Sequence, residues 1–121
     1  MTSYGYYFNT IEQAIILSKP SELTQLKQTI RAKANKPYLF VFSAYAIQRG
    51  YERSITLIDV VRVCHEGALS QPVTVNCKTG EYRFQIAHLV AGRQIAVQAA
   101  CRIDKTRNIF IITVLERETE I

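Results

Sequence analysis

The chain has 121 residues, with fifteen Lys and Arg against ten Asp and Glu and a formal charge of +5. That length suits one domain rather than two, and a composition 48% hydrophobic and 21% charged excludes disordered and fibrous classes. The longest apolar stretches, such as Ile109-Phe110-Ile111-Ile112, fall far short of the ~20 residues of a membrane span.

Met1 to Phe8 lacks the basic-then-apolar order of a secretory signal. Three cysteines (Cys64, Cys77, Cys101) form no CxxC pair and no zinc-finger spacing, which predicts a reduced, cytoplasmic protein without metal or cofactor. Glu116, Glu118 and Glu120 crowd the C-terminus, so the body up to Leu115 holds 14 basic and 7 acidic groups. Such a field favours a polyanionic partner, nucleic acid first.

In chain order, Asn9-Thr10 is expected to cap a short helix running through Leu17, and Pro20-Ser21 to open a second. In the second, Leu23, Leu26 and Ile30 recur every three or four residues. Lys27, Arg31 and Lys33 sit towards its far end, where cations suit the helix dipole. Ala34-Asn35-Lys36-Pro37 ends it. Tyr38 to Phe42 reads as a strand or as the start of a helix.

Ser43 caps the next helix, to about Arg53. Ser54 or Thr56 starts another with an apolar stripe of Leu57, Val60, Val61 and Cys64, closing at Gly67. Pro72 breaks the chain, and strands follow at 73–77, 82–90, 94–103 and 109–115. The expected fold is α+β: N-terminal helices, then a twisted antiparallel sheet of about four strands with the helices packed on one face. A single domain over 1–121 is expected, with 1–40 as a helical extension of a 41–117 core.

Turns at Ala91-Gly92 and Lys105-Thr106 set a register for the last three strands. One face then holds Phe84 beside Ala99 and Ile112, and Ile86 beside Val97 and Val114. The other holds a polar row of Gln85, Gln98 and Thr113, flanked by Arg83, Ala100 and Ile111, with Arg102 towards one end. This is either a shallow anion-binding surface or an ordinary solvated sheet face.

From Phe42 onward the sequence resembles the DUF4258 family. Ser43-Ala44-Tyr45-Ala46-Ile47-Gln48-Arg49-Gly50-Tyr51-Glu52-Arg53-Ser54-Ile55 is similar to that family's opening signature, a His-Ala pair followed by two spaced arginines and a Gly-Ile step. Asp59-Val60 and Glu66-Gly67 fall where its second helix runs and stops. Gly92 to Val97 and Ile112-Thr113-Val114 resemble its final hairpin, and the match spans 42–116. Two positions depart: Tyr45 stands at the family's His, and Ser54 at its usual Gly.

The resemblance implies a toxin-like domain grouped with the barnase, EndoU, colicin and RelE-type ribonucleases. It would act as a metal-independent endoribonuclease, or as an inactive relative that binds RNA or a protein partner. Arg49 and Arg53 match the signature arginines and Thr113 the terminal-strand threonine. RNA and a cognate antitoxin or immunity protein are the partners it suggests, while the N-terminal segment, outside the match, would cover the site or pair with a second copy of the chain.

The residue types allow such chemistry. RNA cleavage without metal needs the 2′-hydroxyl deprotonated, the crowded phosphate stabilised and the leaving oxygen protonated. Tyr45, Arg49 and Arg53 recur every four residues and share one helical stripe. The arginines can clamp a phosphate bidentately. Tyr45 takes the histidine's place, although a tyrosine at its ordinary pKa of ~10 is a poor base at neutral pH. Thr113 and Gln98 complete the pocket, and Arg83, Gln85, Gln98 and Arg102 supply further nucleic-acid contacts. Catalysis requires these groups to meet around one opening.

Other features carry less. His65 at a helix end reads as a dipole contact, His88 as a hydrogen-bonded strand residue, and Cys101 as core. Tyr4, Tyr6, Tyr7 and Phe8 read as an anchor for the N-terminal arm before they read as a base-stacking cluster. No GxGxxG, P-loop, HExxH or GxSxG pattern occurs.

Overall fold

A computed structural model describes residues 14–17, 19–103 and 107–117. The elements are β1 (Ala14–Leu17), α1 (Pro20–Ala34), a single 3₁₀ turn (Pro37–Leu39), β2 (Phe40–Phe42), α2 (Ala44–Arg53) and α3 (Leu57–Glu66). Four long strands follow: β3 (Ala68–Asn76), β4 (Tyr82–Val90), β5 (Arg93–Cys101) and β6 (Ile109–Arg117). They form one sheet in the order β1-β3-β4-β5-β6-β2, antiparallel except where β2 runs parallel to β6.

The expected α+β class holds, with two corrections. The sheet has six strands among the described residues, not four, and helices do not simply precede it. Ala14–Leu17 is an edge strand paired with β3, not the end of a helix. Four apolar residues carry no period that separates strand from helix, so the free edge of β3 decides. The proposed cap at Asn9-Thr10 and the aromatic cluster at 4–8 lie outside the described residues.

Local signals place the helices. Pro20 occupies the first turn of α1, and Ser43 Oγ accepts from the Ala46 amide to cap α2. Thr56 and Asp59 form a reciprocal capping box on α3. Pro72 does not stop β3, as the sequence led one to expect. The strand runs through it, with the β4 register slipping between Ser70 and Thr74, where a residue lacking an amide proton can be absorbed.

The helices cover one sheet face. Leu26, Ile30 and Ala34 of α1 join Ala46 of α2, Val60 and Val63 of α3, and Phe84, Ile86, Val97, Ala99, Ile111 and Val114 of the strands in one buried cluster. Residues 20–34 are therefore part of the same core as 41–117. The apolar pairs Phe84–Ala99 and Ile86–Val97–Val114 match the expected register, but Ile111 takes the place expected for Ile112. A bulge at Ile112 shifts the pairing by one residue. Lys33, 2% exposed at the end of α1, donates to the Arg107 carbonyl at 2.6 Å and ties the β5–β6 connection to that helix.

Candidate nucleic-acid interface

Alternation along β4, β5 and β6 sends every second side chain away from the helices. The pairs Gln85–Gln98 and Gln98–Thr113 are direct cross-strand neighbours, so the polar row is real, and Ser70 of β3 extends it. Gln98 Nε2 donates to Gln85 Oε1 at 3.2 Å. The next row holds Thr74, Arg83, Ala100 and Phe110, with Val41 of β2 beyond.

Arg83 and Gln98 are exposed, Phe110 is 46% exposed, and Ala87, Ala96 and Ala100 sit buried between the longer side chains. On β5, Ala96 and Ala100 flank the longer Gln98, and Ala87 of β4 lies beside Ala96 on the same open face. Among the described residues no helix packs on it.

Charge gathers at one end of that face. Lys78 in the β3–β4 turn, Arg83 at the start of β4, Arg102 after β5 and Arg107 before β6 are all exposed. The described acid among them, Glu81, meets Arg83 at 3.5 Å, with 67% of the arginine side chain exposed. A pair so open to water is worth little and leaves Arg83 available to a ligand.

The α2 stripe lies elsewhere. Ala46 and Gly50 face the sheet, and Tyr45 and Arg49 occupy the flank of α2 away from α3. Arg49 Nε donates to the Tyr45 hydroxyl at 2.9 Å, its guanidinium lies 5.0 Å from the ring centre, and Nη1 is 3.6 Å from Glu52. The hydrogen bond to Tyr45 raises the Arg49 pKa further above its already high value.

The Arg53 carbonyl, at the opposite end of the helix, accepts from Arg93, which also bonds the Ser54 carbonyl and Glu116. Thr113 projects from the sheet face opposite the one that α2 covers, since its neighbour Val114 is in the core beside Ala46. Tyr45 and Arg49 thus stand together, and Gln85, Gln98, Thr113, Arg83 and Arg102 share the uncovered face and its margin. No hydrogen bond or ion pair among the described residues links the two groups.

Neither histidine joins a candidate site. His88 Nε2 lies 3.2 Å from Glu66 Oε1 on the helix side, and His65 is exposed on α3. Cys64 and Cys101 are buried, and burial pushes both thiols up to about 12. Among the described residues no three His, Cys, Asp or Glu gather as metal ligands, and no helix is long and apolar enough to cross a membrane.

Phe110 is the residue that sequence patterning missed. It lies in the run Ile109-Phe110-Ile111-Ile112, whose unbroken apolarity hides the alternation that turns the ring outward. Comparison with protein-family models, curated proteins and solved structures finds no match to this chain.

Proposed function

We propose that this chain binds single-stranded RNA on the uncovered sheet face without cleaving it. The observation that carries this is the uncovered sheet face, where a polar Gln85–Gln98–Thr113 row adjoins an exposed ring and an exposed guanidinium, Phe110 and Arg83. Bases stack on aromatic rings whatever their identity, and amide side chains bond base edges or ribose hydroxyls. Arg83, Arg102 and Lys78 at one end would follow the phosphates. The reading agrees with the body's basic charge and with the inactive alternative that the DUF4258 resemblance implies. A protein partner such as an antitoxin would compete for the same face.

The second reading is a metal-independent endoribonuclease of the toxin-like kind. One observation favours it: the Tyr45 hydroxyl and the Arg49 guanidinium stand side by side on an open surface. Against it, Arg49 is carried by α2 on one face of the sheet while Thr113 projects from the other.

Fluorescence anisotropy with a labelled RNA oligonucleotide, run beside gel analysis of the same samples, separates the two. Binding is expected to weaken with salt and to fall in Arg83→Ala and Phe110→Ala but not in Arg49→Ala, with the RNA intact. Cleavage that Arg49→Ala abolishes would overturn the binding reading in favour of the nuclease.

A further inference from the structure

The helical layer carries a second surface that RNA binding does not use. Ile47, Tyr51, Leu57 and Ile58 are 61%, 88%, 50% and 74% exposed. Single exposed apolar residues are ordinary, but a contiguous group marks a docking surface. Here the group is contiguous. Ile47 and Tyr51 are one turn apart on α2, on the flank facing α3, and Ile47 and Leu57 line a common hollow of about 250 Å³ floored by Ala46, Gly50 and Val114. Leu57 and Ile58 also border a second hollow, of about 370 Å³, against Pro37 and Val61. The first turn of α3 is therefore a ridge with a hollow on either side.

Charge says what this surface fits. Helices α2 and α3 hold Arg49, Arg53 and Arg62 against Glu52, Asp59 and Glu66, a formal charge of zero in a chain of +5. RNA finds no net attraction there, and an acidic protein finds stronger attraction elsewhere on the chain. A second copy, carrying the same +5, is repelled from the basic faces and meets least repulsion on this neutral one.

Size agrees. The hollow of about 250 Å³ lies below the ~300–1,000 Å³ of small-molecule sites and suits one inserted side chain, and the second, of about 370 Å³, is near the lower end of that range. Ridge and hollow on one patch also meet the two-fold requirement that a surface be complementary to itself.

We infer that the α2–α3 face is a homodimer interface, in which the Leu57–Ile58 ridge and the Tyr51 ring of each protomer enter the hollows of the other. Light scattering on a sizing column and sedimentation over a range of concentrations test it. The expected mass of the full chain is twice 13.8 kDa. Ile58→Glu and Tyr51→Ser change residues exposed in the monomer, so circular dichroism and thermal unfolding at low concentration should stay as in wild type while dimerisation weakens about tenfold or more.

Association that survives high salt further supports an apolar contact. A wild-type chain that is monomeric at every concentration overturns the proposal. So does a dimer that both variants retain, because its contact would lie elsewhere. RNA binding measured on the Ile58→Glu monomer reports on the sheet face separately.

Discussion

Gln98 Nε2 donates to Gln85 Oε1 across 3.2 Å, joining the middle of β5 to the middle of β4 on the face that the helices leave open. One donor and one acceptor are used in this bond, which leaves both amides with further donors and acceptors for a ligand. Gln98→Leu should weaken RNA binding while moving stability by no more than ~0.5 kcal/mol, as for exposed positions generally. Anisotropy titration and thermal unfolding read the two effects. A variant that binds as wild type removes the polar row from the interface.

Arg83 is expected to contribute charge as well as contact. Arg83→Ala should reduce the slope of log affinity against log salt by ~0.7, the single-strand value for one phosphate contact. An unchanged slope would mean that Arg83 does not touch the backbone.

Arg93 holds the end of α2 to the sheet by donating to the Arg53 and Ser54 carbonyls while meeting Glu116 at 3.0 Å. A cation on unpaired carbonyls at a helix C-terminus suits the dipole, so Arg93→Ala should cost ~1–2 kcal/mol. Glu116→Gln removes only a half-exposed ion pair and should cost under ~1 kcal/mol. Urea denaturation of the two variants ranks them; equal losses would refute the capping role.

Two non-glycine residues sit in left-handed backbone: Ser54 at φ +56° closing α2, and Ala91 at φ +52° in the β4–β5 turn. Ser54→Gly and Ala91→Gly should each raise stability by ~0.5–1 kcal/mol, because a Cβ is unfavourable there. The opposite holds at Gly67, where an added Cβ would lie 2.5 Å from the Val63 carbonyl and 2.7 Å from that of Ala87. Gly67→Ala should therefore cost ~1–3 kcal/mol, visible as a lower melting temperature.

Buried Cys64 and Cys101 keep their protons to about 12, while Cys77 is exposed. At mildly alkaline pH a thiol reagent should modify Cys77 quickly and the other two only after denaturation. The sign for stability follows from proton counts. Above pH 9, the ordinary value for these thiols, the unfolded chain releases protons that the native state retains, so stability should fall between about 9 and about 12. Fast modification of all three in the native protein would contradict the burial.

Sequence alone determined what local chemistry controls. Pro20, Ser43 and Thr56 start the helices, Ala91-Gly92 sets the hairpin, and the Gln85–Gln98 pair follows from that turn and strand alternation. These depend on neighbours a few residues away, or on one tight turn that locks two strands in register. Tertiary structure decided the rest. It made Ala14–Leu17 a strand on the edge of β3, slipped β6 by one residue at Ile112, and turned Phe110 outward. It also separated Tyr45 and Arg49 from Thr113, because the direction of a helical stripe depends on which side of the helix the core buries, and that choice is made by residues far along the chain.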